Sequence, residues 1–212
     1  MRPLALSLLL ALLAPLATSA ADKPNVIFIL ADDLGAHDLG CFGSTFYETP
    51  NLDRLAKRGT RFTQAYAASP LCSPTRSSIL VGQYPARTGI TAPVCHLPTV
   101  QLEKNLAENE NGKTRVLVAN SVTRLKSEYF TLAEAFKEAG YATAHFGKWH
   151  LGDIPATRPM SRGFDQHAGL LVSNDMWRHN PVWKKGHGDL PLPYWENGSI
   201  KIADISPDDQ TH

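Results

Sequence analysis

The chain has 212 residues, of which 43% are hydrophobic and 19% are charged, and its formal net charge is +1. A charge this close to zero argues against a nucleic-acid partner, because phosphate binding requires a basic surface. The aliphatic content suffices for a hydrophobic core, and the length fits one domain.

The first twenty residues have the composition of a secretory signal peptide. Arg2 precedes a leucine-rich run over residues 4–16, and small residues follow at positions 18–21. This apolar run is shorter than the roughly 20 residues that a transmembrane helix needs. We therefore expect residues 1–20 to be a signal peptide, residues 21–212 to be exported to a periplasmic, secreted or lumenal location, and no transmembrane anchor.

The pattern that follows predicts an α/β fold. Residues 25–30 form an almost continuous apolar run, which is typical of a buried parallel strand. A helix is predicted over residues 51–59, with Gly59 at its end, and a strand over residues 61–67. These elements indicate a mostly parallel sheet flanked by helices.

A second helix is predicted from Ser73 to about Val81, directly after Cys72. Pro74 fits its first turn, where the missing N–H group costs nothing, and Ser73 can cap that turn. The helix N-terminus presents unpaired amides to an anion beside Cys72. Arg76 lies one turn later on the same face and adds a permanent cation. This local pattern suits a nucleophile that acts on a tetrahedral oxyanion.

The later part of the chain contains one further clear helix and strand. Residues 94–125 are mixed and polar, and we expect an irregular excursion there. Thr131 and Glu134 have the spacing of a capping box for a helix that ends at Gly140. A strand is predicted over residues 141–146, and in such sheets chemistry is expected beyond the carboxyl ends of strands.

Two polar clusters follow predicted strands. Asp32 and Asp33 come after the first strand, and adjacent carboxylates repel unless a cation or donors offset them. A hard divalent ion is the simplest explanation, with calcium or magnesium favoured over zinc, and an aspartate turn is the alternative. Lys148 and His150 follow the last strand, two residues apart and therefore on one side of an extended segment. Ordinary surface chemistry remains the alternative for this second pair.

These segments together resemble the type I sulfatases of the alkaline phosphatase superfamily. Residues 72–89 match the family signature, which is Cys-x-Pro-Ser/Thr-Arg followed by a short run that ends in Thr-Gly. Residues 147–152, Gly-Lys-Trp-His-Leu-Gly, match the second signature. The resemblance runs from about Lys23 to the end of the chain and is weakest over residues 94–125. It implies the α/β fold of that superfamily, incomplete at the C-terminus.

The resemblance implies a sulfuric ester hydrolase that acts on an aryl or carbohydrate sulfate ester. In the family, the cysteine that matches Cys72 is oxidised to formylglycine, and the hydrated aldehyde attacks sulfur. Asp32, Asp33 and the modified Cys72 would bind Ca²⁺, in preference to Mg²⁺. Arg76 would neutralise charge on the sulfuryl oxygens, and Lys148 would hold them as a catalytic and substrate-binding residue.

Two further roles and the partners also come from the resemblance. His150 would lie near the bridging or leaving oxygen. Ser173, in a Val-Ser-Asn-Asp segment, matches a position where a serine touches the sulfate. The implied partners are a sulfated small molecule or glycan and a formylglycine-generating or sulfatase-maturating enzyme.

The matched motifs account for only part of the family's site. Calcium takes about six to eight oxygens, and the motifs supply three ligands. In the family, an Asp followed by Asn, Gln or His and a second lysine come from a segment that this chain does not reach before His212. We therefore expect residues 21–212 to be the N-terminal part of a longer catalytic domain, with little activity alone.

Other functions remain open. A phosphodiesterase or phosphonate hydrolase of the same superfamily would share the fold and the formylglycine but prefer phosphorus esters. A non-catalytic secreted fragment would carry no aldehyde and release no sulfate. A thiol hydrolase is disfavoured because the spacing suggests no Cys–His pair.

The remaining cysteines and histidines match no motif. Three cysteines leave an odd one in an exported protein, and Cys72 is the best candidate to be free or modified. A Cys41–Cys95 disulfide and two reduced thiols are both open. The histidines expected at the surface or in the core, rather than as ligands, are His37, His96, His145, His167, His179, His187 and His212.

Overall fold

The computed structural model describes residues 23–106, 119–171 and 194–202, and the chain divides into two units, residues 1–59 and 60–212. The predicted signal peptide lies outside the described residues. Within the described ranges, no helix is both long enough and apolar enough to cross a membrane.

The first unit contains a 3-10 helix, Gly40–Phe42, and helix α1, Pro50–Arg58. Asp53 in the first turn of α1 accepts hydrogen bonds from the Thr49 hydroxyl at 3.0 Å and from the Cys41 amide at 2.7 Å. A carboxylate at this end of a helix also suits the helix dipole. Asp53 thereby ties the two helices of the unit together, and the first predicted helix is confirmed.

Two predicted strands do not form. Residues 25–30 make no strand pairing with any described residue, and their apolar side chains are exposed, from 41% at Leu30 to 85% at Ile27. A buried parallel strand needs a hydrogen-bonded neighbour and covered faces, which the described residues do not supply. Residues 61–67 likewise contain a turn instead of a strand, and Phe62 is 71% exposed. Both strand predictions are therefore wrong for this structure.

The second unit begins its regular structure with helix α2, Cys72–Val81. The helix ends at Gly82, which takes the left-handed conformation with φ 64° that glycine allows. Pro74 lies in the first turn, as predicted. The prediction that Ser73 caps the helix is wrong, because the N-cap is Leu71 and Ser73 is a buried helical residue.

Two further helices follow: α3, Pro85–Thr88, and α4, Leu132–Glu138. The predicted capping box of α4 is present. The Thr131 hydroxyl accepts a hydrogen bond from the Glu134 amide, and the Glu134 carboxylate accepts one from the Thr131 amide at 2.7 Å. Caps of this kind stabilise a helix by about 1 kcal/mol. Two 3-10 helices, Pro155–Thr157 and Pro159–Arg162, lie further along the chain.

The strands of the second unit form two small sheets. They are β1 Asn105–Leu106, β2 Ala119–Asn120, β3 Ala144–Lys148, β4 Gln166–Leu170, β5 Tyr194–Glu196 and β6 Ser199–Ile202. β1 and β2 pair antiparallel. The larger sheet has the order β3-β4-β5-β6, in which β3 and β4 are parallel and the other pairs are antiparallel. The α/β prediction is confirmed, with a mixed sheet in the described part of the chain.

Strand β3 begins and ends later than predicted. The strand was expected over residues 141–146, but it runs to Lys148, so that Gly147 and Lys148 belong to the strand. The cause lies at Thr143, whose amide donates to the Asp165 carboxylate at 3.0 Å instead of to a neighbouring strand. Regular pairing with β4 starts only after this contact.

The apolar core of the second unit lies beside the end of β3. Arg124, only 1% exposed, borders it and donates hydrogen bonds to two backbone carbonyls. Part of the segment predicted to be irregular is therefore buried and ordered by side-chain contacts. The fully buried core residues are Ile90, Cys95, Val122, Leu125, Trp149, Leu151 and Leu171.

Candidate functional site

The predicted metal ligands Asp32 and Asp33 lie in the first unit, in a bend after the apolar run. Both residues are exposed, and Asp33 has a left-handed backbone with φ 57°. Outside glycine, this conformation is adopted most readily by asparagine, aspartate and histidine. The two side chains offer exposed hard oxygen donors, a donor set that suits Ca²⁺ or Mg²⁺.

Cys72 and Arg76 are placed by helix α2 of the second unit. Cys72 is the first residue of the helix and is half-buried. The first amides of any helix lack intrahelical partners, so the positive end of the dipole lies at this thiol. Arg76 follows one turn later on the same face and is also half-buried. The predicted local arrangement of thiol, helix end and cation is therefore present.

A hydrogen bond joins the two signature segments. Arg76 Nη1 donates to the backbone oxygen of Lys148 at 2.5 Å, although 72 residues separate them in sequence. Lys148 is the last residue of β3 and pairs in register with Leu170 of β4. The guanidinium is thus fixed at the carboxyl end of a strand, where sequence reasoning expected the chemistry.

Trp149 anchors the segment that carries His150. Trp149 is 1% exposed, and its Nε1 donates to the Thr157 carbonyl at 2.9 Å. The His150 amide donates to Leu171 at 3.0 Å, and the His150 side chain is also buried. His150 has φ 57°, so the segment is not extended at this residue. The prediction that Lys148 and His150 lie on one side of an extended segment is therefore wrong.

A histidine without a predicted role contacts His150. His96 Nδ1 lies 3.0 Å from His150 Nε2, and the two ring planes are inclined by 32°. His96 is exposed, whereas His150 is 1% exposed. The two residues are 54 positions apart, so no local spacing pattern signals their contact.

A second histidine pair lies on β3 and β4. His145 Nδ1 is 3.1 Å from His167 Nδ1, and the two residues are register partners in the sheet. Burial, then the charges of His167 and Arg76, lower the pKa of His145 to about 3. Burial also lowers the pKa of His167. Both rings are therefore neutral at physiological pH, and neither repels the Arg76 guanidinium.

Cys95, the third cysteine, packs in the hydrophobic core. Cys95 is fully buried, and burial raises the pKa of its thiol to about 11, although the nearby Ser73 hydroxyl and the charge of Arg124 act in the opposite direction. A thiol of this kind is unreactive at neutral pH. None of the cysteines forms a disulfide, so the Cys41–Cys95 bridge is absent. Ser73, expected as a cap, is instead fully buried next to Cys95, the residue before His96.

Ser173, the predicted sulfate-contacting serine, lies outside the described residues. Of the other predicted site residues, Cys72, Arg76, Lys148 and His150 belong to the second unit. The structure joins the first three through α2 and the Arg76–Lys148 hydrogen bond. His150 follows through the buried Trp149 anchor.

The chain is similar to known sulfatases over most of its length. The family model described as Sulfatase matches residues 24–198. Steryl-sulfatase from Mus musculus is 38% identical over 189 residues, which cover 82% of this chain and 27% of that protein. Arylsulfatase G from Rattus norvegicus is 40% identical over 202 residues, covering 85% of this chain and 34% of that protein.

A solved structure shows the same fold. The crystal structure of Ps i-CgsB superposes with a TM-score of 0.61 at 32% identity and covers 86% of this chain and 38% of that chain. The same protein has a crystal structure in complex with k-i-k-neocarrahexaose. The chain thus spans between about a quarter and two fifths of the length of these matched proteins.

Proposed function

Because the chain belongs to the sulfatase family, we propose that it carries the nucleophile and part of the anion-binding site of a sulfuric ester hydrolase. The observation that carries this proposal is the hydrogen bond from Arg76 to the Lys148 carbonyl. It brings the strand that bears Lys148 to the helix that begins at Cys72. Helix amides at Cys72 and the cationic side chains of Arg76 and Lys148 would then act together on a sulfuryl group, which needs preorganised donors and positive charge.

The nucleophile is proposed to arise by conversion of Cys72 to formylglycine by a maturation enzyme. The support is the match of the Cys-x-Pro-Thr-Arg signature and the half-buried thiol at a helix N-terminus. When formed, the hydrated aldehyde supplies the attacking oxygen. Arg76 and Lys148 orient the sulfate and neutralise its oxygens, and His150 holds or moves a proton at the leaving oxygen.

Asp32 and Asp33, with the modified Cys72, are proposed to hold Ca²⁺. The support is the donor chemistry, since two exposed adjacent carboxylates otherwise repel each other. The ion, when bound, supplies positive charge that favours an ionised oxygen at the nucleophile. The carboxylates themselves hold and orient that ion.

The proposed substrate is a sulfated glycan or a small aryl or steroid-like sulfate ester. The support is the range of the relatives, which are named steryl-sulfatase and arylsulfatase G, and the oligosaccharide complex of Ps i-CgsB. Ser173 is proposed as a further sulfate contact. The N-terminal composition of residues 1–20 supports export to a periplasmic, secreted or lumenal compartment.

Mass spectrometry of the peptide that contains Cys72, with release of sulfate from an aryl sulfate, tests the proposal. The chain is co-expressed with a maturation enzyme and compared with Cys72→Ala and Arg76→Ala. We expect aldehyde at position 72, and a loss of turnover of roughly a hundredfold or more in Arg76→Ala. Arg54→Ala, an exposed arginine of α1, is the charge-matched control and should keep its turnover.

Aryl phosphate serves as the second substrate in the same assay. Faster release of phosphate than of sulfate would show that the chain acts on phosphorus esters instead. An unaltered Cys72 thiol in protein that hydrolyses sulfate esters would refute the formylglycine mechanism. Near-normal turnover in Arg76→Ala would show that Arg76 has no role in sulfate ester hydrolysis.

A further inference from the structure

The geometry points to a further positioning residue: we propose that His96 fixes the ring orientation and the tautomer of His150. This inference rests on the proposed function, because the imidazole of His150 is proposed to work at the leaving oxygen, and it would do so through Nδ1, the ring nitrogen that His96 does not contact. His96 Nδ1 and His150 Nε2 are 3.0 Å apart, within the range of a hydrogen bond. No sequence motif assigns a role to His96.

The contact is made edge to edge. The ring centroids are 5.3 Å apart and the planes are inclined by 32°. The shortest approach is therefore between two ring nitrogens, as expected for a hydrogen bond that lies near both ring planes. In a neutral pair one nitrogen must carry the proton and the other the lone pair. The hydrogen bond therefore couples the tautomers of the two rings, because the nitrogen of one ring must donate where that of the other accepts.

The pair tolerates at most one extra proton. If both imidazoles were protonated, two N–H groups would face each other at 3.0 Å and the hydrogen bond would be lost. The hydrogen bond therefore requires at least one neutral ring. For a buried residue such as His150, this partner replaces the water that an exposed ring would use.

The backbone on both sides of the pair is fixed by Arg124. Its Nη2 donates to the carbonyl of Leu97, the neighbour of His96, at 2.7 Å. The same nitrogen forms an ion pair with Asp153 Oδ1 at 2.7 Å, three residues after His150. One buried guanidinium therefore holds both histidine-bearing segments.

The segments are also packed closely around that arginine and around α2. A Cβ built at Gly152 would lie 2.6 Å from Arg124 Cδ, so only glycine lets the segment after His150 approach this closely. On the other side, the buried Cys95 lies directly before His96 and next to the buried Ser73 of α2. Exposed His96 is therefore held against buried His150 by ordered neighbours.

The test compares four substitutions of His96 in the matured, full chain. His96→Asn places an amide near the position of Nδ1, whereas His96→Gln places its amide near the position of Nε2. His96→Ala and His96→Phe remove the hydrogen bond, the first with loss of volume and the second with volume kept. His37→Ala, at an exposed histidine of the first unit, is the matched control.

We expect kcat for sulfate release to fall roughly ten- to a hundredfold in His96→Ala, His96→Phe and His96→Gln, with KM changed less than about twofold. His96→Asn should recover most of the lost turnover. Loss of the hydrogen bond leaves a nitrogen of buried His150 without this partner, at a cost of about 1–3 kcal/mol, so kcat is measured well below the melting temperature of every variant. Equal kcat for the Asn, Gln and Ala variants would overturn the proposal, as would a loss confined to KM.

An independent readout separates this inference from the proposed function. Two-bond ¹H–¹⁵N correlation spectra of histidine-labelled protein report which ring nitrogen of His150 carries the proton. We expect one tautomer in the wild-type chain and in His96→Asn, and a mixture in His96→Ala. A mixture in the wild type would refute the pairing whatever the activity. A single tautomer of His150 in a chain whose Cys72 remains an unaltered thiol after co-expression with the maturation enzyme would refute the proposed function and leave the pairing in place.

Discussion

Replacement of Arg124 tests whether a buried cation holds the histidine-bearing segments. Arg124 is 1% exposed, and it bonds the carbonyls of Thr123 and Leu97 at 2.6 and 2.7 Å and Asp153 at 2.7 Å. Arg124→Met keeps much of the side-chain volume but leaves two carbonyls and a carboxylate without this donor. Removal of one member of a buried ion pair costs about 3–5 kcal/mol. Asp153 is 38% exposed and can be partly hydrated, so we expect the lower end, about 3 kcal/mol.

The measurement is urea unfolding followed by tryptophan fluorescence, which the buried Trp149 reports. Asp153→Asn removes the partner charge, and the double variant completes a cycle. Since the two side chains are in contact, the double variant should lose about 0.5–3 kcal/mol less than the sum of the single losses. A loss below about 1 kcal/mol in Arg124→Met, or strictly additive effects, would show that the guanidinium does not hold these segments.

Two further predictions concern the β3–β4 pair. The pKa of His145 is lowered to about 3, so the native state stays neutral at His145 where the unfolded state, with a pKa of about 6.5, binds a proton. From this residue alone, the free energy of unfolding should fall by about 1.4 kcal/mol per pH unit as the pH drops from 6.5 towards 3. His145→Phe should reduce the slope in unfolding titrations without removing the part that His167 contributes, and an unchanged slope would contradict this origin. Gly169→Ala should lower the free energy of unfolding by about 2–4 kcal/mol, because the new Cβ would lie 2.1 Å from the Gly147 carbonyl oxygen and the residue has a φ of 150°. Gly198→Ala is the control for backbone strain alone, since Gly198 has φ 84° and no atom within 4 Å of a Cβ. Equal losses of stability in the two variants would exclude the steric explanation.

The helices of this chain are predicted well because their signals are local. Thr131 and Glu134 form the capping box that their spacing indicates, and Pro74 lies in the first turn of α2. Each of these features depends on residues within a few positions of one another. The helix at Cys72 therefore carries its thiol and Arg76 where the sequence places them.

The strands are predicted less well because a strand depends on distant partners. The apolar run at residues 25–30 has the right composition, but no described residue pairs with it. β3 starts late because Thr143 bonds Asp165, a residue 22 positions away. Such contacts leave no periodic signal in the sequence.

The candidate site shows the same division between local and distant information. Cys72, Arg76, Lys148 and His150 can be proposed from the sequence because they belong to short signatures. His96 was missed, because its partner lies 54 positions away and an isolated histidine carries no signature. The conformation of His150 was also missed, since φ 57° at a histidine follows from packing rather than from residue type.

Buried guanidinium groups hold the segments around this site. Arg162 donates to the carbonyls of Lys126 and Tyr129, as Arg124 does to its own two, and Arg76 donates to Lys148. Irregular segments have carbonyls without partners in a helix or sheet, and these carbonyls need donors when they are buried. A forked guanidinium can serve two of them, whereas the ammonium of lysine is a compact point charge.

This arrangement gives Arg76 two tasks that can be separated by experiment. One N–H group of its guanidinium donates to the Lys148 carbonyl, and the charge of the side chain is proposed to contribute to anion binding. Arg76→Lys keeps the positive charge but loses the planar, forked set of guanidinium N–H donors. Sulfate binding should therefore weaken less than in Arg76→Ala. Turnover should still fall, because the end of the strand at Lys148 is no longer held. KM and kcat measured for both variants decide the matter. If the lysine variant lost as much binding as the alanine variant, fork geometry and not charge would govern the role of Arg76.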